Sequence, residues 1–213
     1  MYIYNHIKHI MSTESQRRVV IEIGTNTGVD TKRIYKLSKP CSYYAFEPNP
    51  DSSAHFLKQD IAKHVYFEQC AVGDTNGTVM FNQCNCAHPV NKRKFTGASS
   101  VLEPTDKLLT KHPWIKMVNT VEVPIVRLDT FVMTMNIVDP ITFIWCDAQG
   151  YEGHIIKGAT NTLKQTKYFY FEYFTDEMYK GCMVLDEILE LLPDWTVVEQ
   201  YVGDILLKNR TMS

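Results

Sequence analysis

The stretch RVVIEIGTNTGVDTKRIYKLSKPCSYYAFEPNP, residues 18–50, decides the fold class. An apolar, β-branched run at 18–24 ends in glycine, which is typical of a buried strand. Residues 29–40 carry apolar side chains at helical spacing and end at a proline, and a second apolar run at 41–50 is stopped by two prolines. Strand, helix and strand in succession predict a βαβ unit and a parallel sheet.

The same alternation resumes along the chain. Periodicity predicts further helices at 51–64, where Asp51 is the expected cap, and at 150–165 and 183–194. Further strands are predicted at 65–74, 140–147, 167–174, 195–201 and 203–209. The chain is therefore expected to form an α/β domain over 18–213, preceded by an N-terminal leader at 1–17.

The middle of the chain departs from this rhythm. An Asn-Gly turn opens a strand-like run at 74–83, and 119–129 alternates as a half-buried strand, so an inserted hairpin and lid are expected around 75–127. The lid itself, about 84–119, is irregular, and long irregular segments are often functional. Its basic residues outnumber its acidic ones, which fits either a solvated insertion or a lid that faces an anionic or polar substrate. They are Lys92, Arg93, Lys94, Lys107, Lys111 and Lys116.

Composition narrows the class of protein. The 213 residues suit one domain, and a net charge of −2 gives no general attraction to nucleic acid or anionic membranes. No apolar run approaches the roughly 18 residues that span a bilayer, and the leader resembles a polar segment or short helix rather than a signal peptide. The six scattered cysteines favour a reducing, cytoplasmic compartment. Cys84, Cys86 and His88 lack a second ligand pair, so free thiols are favoured over zinc.

The first loop predicts a nucleoside site. Gly24 and Gly28 remove side chains where a ligand must approach the backbone, and Glu47 ends the second strand, where a carboxylate can accept both ribose hydroxyls. Glu22 would repel a pyrophosphate and attract a cation. That combination favours S-adenosylmethionine over a dinucleotide.

A second cluster follows the strand at 140–147. Asp147 ends that strand, Gln149 and His154 follow closely, and Glu172 ends the next strand. The C-terminal ends of parallel strands meet at one edge of a sheet, where ligands bind. Each residue also has a structural alternative: Asp147 as a helix cap, His154 as an ordinary surface or core residue, and Glu172 as a paired buried acid.

Five blocks in order, EIGTNTG, AFEPNP, CAVGDTNG, VPIVRLDTF and CDAQGYEGHIIKGA, resemble the FkbM-type S-adenosylmethionine-dependent methyltransferases over about residues 18–207. The resemblance implies a Rossmann-like class I methyltransferase fold, with a seven-stranded, mostly parallel sheet and helices on both faces. It also implies O-methylation of sugars, polysaccharides or related natural products.

Family positions transfer residue by residue. Residues matching or replacing the family's first block are expected at the methionine end of the cofactor: Glu22, Gly24, Thr25, Asn26 and Gly28. Glu47 matches the ribose-binding acid, and Cys70 and Ala71 fall near adenine. Ser99 and Ser100 are expected near the acceptor. Gln149 stands where the family usually has Glu, so a base or metal role does not transfer to it, although it can hydrogen-bond to a substrate.

The resulting hypothesis is an O-methyltransferase acting on a sugar or glycan, with a deoxyhexose as one acceptor. Asp147 would take the hydroxyl proton or bind a divalent cation such as Mg²⁺ that polarises the hydroxyl, and Glu172 and His154 are further catalytic candidates. Alternatives are methylation of another polar metabolite or of an RNA hydroxyl, a nucleotide-binding module or NAD-dependent oxidoreductase, and a non-catalytic S-adenosylmethionine-binding protein. Negative net charge argues against RNA.

Overall fold

The computed structural model describes residues 2–14, 17–90, 92 and 94–212. Its strands are β1 (Arg18–Ile23), β2 (Cys41–Phe46), β3 (Tyr66–Glu68), β4 (Ala71–Gly73), β5 (Gly77–Cys84), β6 (Cys86–Ala87), β7 (Lys94–Phe95), β8 (Met117–Arg127), β9 (Ile141–Cys146), β10 (Thr166–Glu172), β11 (Trp195–Gln200) and β12 (Asp204–Asn209). Its helices are α1 (Tyr2–Thr13), α2 (Val29–Ser38), α3 (Pro50–Phe56), α4 (Asp106–Lys111), α5 (Leu128–Thr134), α6 (Glu152–Gly158), α7 (Thr160–Lys164) and α8 (Leu185–Glu190), with a 3-10 helix at Asp60–Lys63.

The main sheet has seven strands in the order β11-β12-β10-β9-β1-β2-β3. Strands β3, β2, β1, β9 and β10 are parallel, and β12 pairs antiparallel with both β10 and β11. The predicted seven-stranded, mostly parallel sheet is confirmed. Strand order reverses between β1 and β9, and such a switch point opens a crevice at the C-terminal ends of the strands.

Helices cover both faces of this sheet. Strand β1 is buried from its second residue onward and β9 along its whole length, as expected for strands covered on both sides. One face packs against α5, α6, α7 and α8, and the other packs against α1 and α2. Among the described residues, none of these helices has the length and hydropathy that crossing a bilayer requires.

The N-terminal segment forms a short helix, one of the two forms expected for the leader. Its apolar side chains repeat at helical spacing and are buried in the second core cluster, and α1 packs against α2. They are Ile3, Ile7, Ile10 and Met11. Helix α1 therefore packs as a covering layer of the sheet, while residues 1, 15 and 16 lie outside the described residues.

The insertion contains more regular structure than the sequence predicts. Strand β8 pairs antiparallel with β5 and parallel with β4, which gives a second, three-stranded sheet. In the chain between β5 and β8, strands β6 and β7 pair with each other in a short antiparallel ladder, and α4 follows β7. The single strand predicted at 65–74 is wrong: it divides into β3 in the main sheet and β4 in the second sheet, because the chain leaves the main sheet after Glu68.

Two helix predictions also need correction. The cap of α3 is Asn49, whose side chain accepts the backbone N–H of Asp51 at 3.0 Å, so the predicted Asp51 cap lies inside the helix. The helix predicted at 150–165 divides into α6 and α7 around Ala159. The first turn of α7 is capped from another element, because the Asp129 carboxylate accepts the N–H groups of Asn161 and Thr162.

Candidate active site

A partly open cavity lies at the switch point between β1 and β9. The C-terminal ends of β1, β2 and β9 form its floor, and β4 and the insertion close it. Its lining is apolar apart from a few polar groups that converge on it, as in small-molecule sites. The lining residues include Ile23, Gly24, Phe46, Glu47, Cys70, Ala71, Val72, Phe81, Ser99, Asp147 and Tyr151.

The loop after β1 is held in a left-handed conformation that favours glycine. Gly24 and Gly28 have φ angles of +87° and +79°, and Asn26 lies between them at +48°. A Cβ on Gly28 would lie 2.6 Å from the ring of Phe56. The N–H of Gly24 bonds to the backbone oxygen of Phe46 at 2.9 Å, which ties this loop to the end of β2.

Glu47 is buried at the end of β2 and fixes the loop after β1. Its two carboxylate oxygens accept the backbone N–H groups of Asn26 at 2.6 Å and Asn49 at 2.8 Å. Burial raises the pKa of Glu47 to about 7, although these two hydrogen bonds oppose the shift. Each oxygen keeps a second lone pair, so the carboxylate can still accept two ribose hydroxyls from the cavity.

The insertion contributes Ser99 to the opposite wall, beside Cys70 and Ala71. The Ser99 hydroxyl accepts the N–H of Cys84 at 2.9 Å and the amide of Asn49 at 3.0 Å. It therefore joins the insertion to the segment that follows Glu47. All three residues predicted for this region line the cavity.

Of the five residues predicted from the first block, Gly24 lines the cavity, whereas the other four are not among its lining residues: Glu22, Thr25, Asn26 and Gly28. The Glu22 carboxylate is buried and accepts the Tyr43 hydroxyl at 2.6 Å, on the face of the sheet that α1 and α2 cover. Its pKa is raised to about 7 by burial. The Thr25 hydroxyl is also buried, and it has no hydrogen-bond partner within the described residues. Neither side chain lines the cavity described above.

Asp147, Gln149 and Glu172 form one hydrogen-bonded cluster at the ends of β9 and β10. The side-chain nitrogen of Gln149 donates to Asp147 Oδ1 at 2.7 Å and to Glu172 Oε2 at 2.5 Å. All three residues are half-buried. Burial raises the pKa of both acids, and the neighbouring Asp147 charge raises that of Glu172 further, well above its usual range. Asp147 therefore loses its proton first.

Tyr179 completes this cluster, and the sequence analysis missed it. Its hydroxyl lies 3.1 Å from Gln149 Oε1, and its side chain is almost fully buried. Ser100, a predicted substrate residue, donates to the backbone oxygen of Gln149 at 2.9 Å instead of presenting a free hydroxyl. Gln149 itself has a φ of +53°, so its backbone is held in an uncommon conformation at this point.

The structure does not bring His154 to this cluster. Its ring nitrogen lies 2.9 Å from Asp74 Oδ2, and the ring stacks on Tyr151 at 4.4 Å. Glu152 is buried, accepts the N–H of Ala148 at 2.7 Å and has its pKa raised to about 8 by burial. Both residues hold the loop and helix in place.

A sequence model of the methyltransferase FkbM domain matches residues 22–201. The chain belongs to the FkbM methyltransferase family. It is also 30% identical over 210 residues to "2-O-methyltransferase NoeI" of Sinorhizobium fredii, a match that covers 96% of this chain and 84% of that protein. Family and relative together establish a methyltransferase.

Solved structures support the fold of this FkbM methyltransferase. An rRNA methylase from Streptococcus thermophilus superimposes with a TM-score of 0.50 at 11% identity, covering 98% of this chain and 96% of that chain. The METTL16 MTase domain gives 0.51 at 10% identity, covering 99% of this chain and 67% of that chain. The predicted class I methyltransferase fold is confirmed, and at these identities the likeness concerns the fold alone.

Family and fold imply S-adenosylmethionine as the methyl donor, and the residues present fit it. Glu47 keeps acceptor capacity for the ribose, and the apolar walls at Val72 and Phe81 suit a flat purine. Asp147 adjoins the same cavity. The cavity of the FkbM methyltransferase therefore lies next to a cluster of carboxyl groups.

Within the described residues, no three His, Cys, Asp or Glu side chains are arranged to hold an ion. Cys84 and Cys86 lie with their sulfurs 3.5 Å apart, and His88 packs against Phe95 and Trp114 instead. All six cysteines are free.

The lid of the FkbM methyltransferase is partly neutralised by acids. Lys94 pairs with Asp51 and Lys107 with Asp176, each at 2.7 Å, whereas Arg93 lies outside the described residues. Exposed pairs of this kind contribute little to stability.

Proposed function

We propose that this FkbM methyltransferase transfers a methyl group from S-adenosylmethionine to a hydroxyl of a sugar or glycan, with deoxyhexoses among the acceptors. The observation that carries the proposal is the Asp147 carboxylate, which is half-buried, belongs to a residue that lines the cavity, and accepts a hydrogen bond from Gln149 at 2.7 Å. The relative named as a 2-O-methyltransferase supports a hydroxyl acceptor.

The bound donor would supply an electrophilic methyl carbon on a sulfonium. Transfer would form a bond from the hydroxyl oxygen to that carbon and leave the carbon–sulfur electron pair on sulfur, and Asp147 would take the hydroxyl proton. A sugar hydroxyl is a poor nucleophile at neutral pH, so a positioned base accelerates the step by about 10²–10⁴-fold. The raised pKa of Asp147 makes it a stronger base than an exposed aspartate.

Methyl transfer should be measured by mass spectrometry with free sugars, nucleotide-sugars, glycans and RNA as acceptors. One added methyl group on a sugar hydroxyl, with S-adenosylhomocysteine as co-product, is expected. Transfer to RNA but to no sugar would contradict the proposed acceptor class. Calorimetry with S-adenosylmethionine, S-adenosylhomocysteine and NAD tests the donor, and binding of NAD alone would contradict it.

A divalent cation on Asp147 is the alternative way to activate the hydroxyl. Turnover should therefore be compared after chelation and after adding Mg²⁺ back. Unchanged turnover supports Asp147 as the base. Loss on chelation that Mg²⁺ restores would assign the cation role instead.

A further inference from the structure

The segment that carries Tyr179 connects the lid to the loop after β9. The N–H of Thr105 bonds to the backbone oxygen of Met178 at 2.9 Å, and the N–H of Lys180 bonds to that of Glu103 at 2.8 Å. On the other side, a Cβ on Gly150 would lie 3.1 Å from the Tyr179 ring. Tyr179 is thus enclosed between the lid and the loop that follows Asp147.

The Tyr179 hydroxyl has two acceptors within reach. Gln149 Oε1 lies at 3.1 Å, and the backbone oxygen of Ala98 lies at 3.2 Å. One hydroxyl proton is therefore shared between the catalytic loop and the lid. Buried polar groups in such a network are costly to leave without a partner, so the contact fixes the carbonyl end of the Gln149 amide.

Because the amide is planar, fixing Oε1 of Gln149 also fixes its side-chain nitrogen. With Oε1 toward Tyr179, the nitrogen of Gln149 faces both carboxyl groups, and its two hydrogens match the two acceptors, Asp147 Oδ1 and Glu172 Oε2. The amide is neutral and donates to both acids. It favours an ionised Asp147 beside Glu172, whereas another carboxyl at this position would repel both.

Resting on the function proposed above, we infer that Gln149 and Tyr179 are positioning residues for methyl transfer. Tyr179 orients the Gln149 amide, and the amide holds the Asp147 and Glu172 side chains together by donating to both. Asp147 remains the group that touches the acceptor hydroxyl. Because Tyr179 also bonds to Ala98, the same hydroxyl joins the insertion to the loop that carries Gln149.

Gln149→Glu tests the amide, since it keeps the shape and replaces the donor nitrogen by an acceptor oxygen. Like charges raise the pKa of neighbouring carboxyl groups by about one unit or more, so the rising limb of kcat against pH should move about one unit toward alkaline pH. Neutral-pH kcat should fall about tenfold or more, while S-adenosylhomocysteine affinity stays within a few-fold. A residue needed only for packing would leave the pH profile unmoved.

Tyr179→Phe tests the orientation, because it removes only the hydroxyl. We expect kcat to fall about three- to tenfold with the KM of the donor unchanged. That loss should disappear in the Gln149→Met background, since coupling in a double-mutant cycle shows that one residue acts through the other. Tyr173→Phe is the matched control: its buried hydroxyl bonds to the backbone of Tyr201 at 3.0 Å, and its removal should leave kcat within twofold.

A measurement that needs no methyl acceptor tests this inference independently of the proposed function. Infrared spectra at neutral pH should show a protonated carboxyl band that Glu172→Gln removes and that Gln149→Glu alters. If the wild-type protein methylates no acceptor, the proposed function fails, while the infrared test still applies. The inference is overturned by a missing Glu172 band, by an unmoved pH profile in an active Gln149→Glu, or by a Tyr179→Phe loss that persists beside Gln149→Met.

Discussion

Gly24 and Asp147 meet at the floor of the cavity between β1 and β9, where a Cβ on Gly24 would lie 1.8 Å from the backbone oxygen of Asp147. The two residues follow β1 and β9, which are neighbours in the sheet, and the N–H of Asp147 bonds to the backbone oxygen of Ile23 at 2.9 Å. The loops after β1 and β9 are therefore packed backbone to backbone. Glycine is required because no side chain fits between them.

Gly24→Ala should consequently disturb both folding and donor binding. The left-handed φ and the overlap with Asp147 together should lower the free energy of unfolding by about 2–5 kcal/mol, with a large loss of S-adenosylhomocysteine affinity. Gly203→Ala is the control, because Gly203 has a φ of +88° and nothing within 4 Å of its Cβ position. It should cost only about 1–2 kcal/mol. Equal losses in denaturant unfolding would show that the contact is unimportant.

Periodicity located the sheet because its strands are buried on both faces and separated by helices. Strands β1 and β9 begin and end within one residue of their predicted limits, whereas β2 begins as predicted and ends four residues early, at Phe46. The division of 65–74 between two sheets was not predictable, since both halves are apolar and only the path of the chain after Glu68 separates them. The packing of α1 was also not predicted, because its apolar side chains lie on one face only when the segment is helical.

Within the site, position at a strand end was the useful signal. Gly24, Glu47 and Asp147 line the cavity because the ends of parallel strands meet there. Tyr179 carried no local signal, since its contact with Gln149 depends on tertiary packing. His154 was predicted as a catalytic candidate because it lies close to Asp147 in the sequence. Side chains two positions apart on an α-helix point in directions about 200° apart. Because Glu152 faces Ala148, His154 faces away from it.

His154→Asn should therefore leave methyl transfer nearly intact. The ring pairs with Asp74 and stacks on Tyr151, and partly exposed pairs contribute up to about 1 kcal/mol. We expect kcat within about threefold of wild type and a loss of no more than about 1 kcal/mol in the free energy of unfolding. A hundredfold fall in kcat with normal S-adenosylhomocysteine binding would instead restore His154 as a catalytic base.

Glu47→Gln should weaken the cofactor site. One carboxylate oxygen becomes an N–H₂ group that faces a backbone N–H, so a hydrogen bond to the loop or to the ribose is lost. Hydrogen bonds to charged groups contribute about 1.5–3 kcal/mol, which predicts a loss of affinity of about 10- to 100-fold by calorimetry. Glu68→Gln, at the end of the neighbouring strand and outside the cavity lining, should bind normally. If Glu47→Gln and Glu68→Gln bind the donor with equal affinity, Glu47 does not contribute to the donor site.

Stability should fall as pH rises. Burial raises the pKa of Glu22 and Glu47 to about 7 and of Glu152 to about 8, from an ordinary value of 4.5. Above pH 4.5 the unfolded chain releases these protons while the folded protein keeps them, so the free energy of unfolding decreases up to about pH 8. Each group contributes at most about 1.4 kcal/mol per pH unit.

Glu152→Gln isolates one of these groups, because the amide oxygen can still accept the N–H of Ala148. Denaturant unfolding between pH 5 and pH 8 should show a shallower decline than in the wild-type protein. Parallel curves would mean that Glu152 titrates alike in the folded and unfolded states.

Asp147→Asn should abolish turnover while leaving the donor site in place. The amide cannot take the hydroxyl proton, so kcat should fall by about 10²–10⁴-fold. S-adenosylhomocysteine affinity should stay within a few-fold, since Glu47 and the Gly24 loop hold the nucleoside. The backbone contact between Asp147 and Gly24 is also unchanged. Rapid-quench kinetics and calorimetry on the same preparation measure the two quantities, and near-normal kcat would assign the proton to another group, with Glu172 the nearest candidate through Gln149.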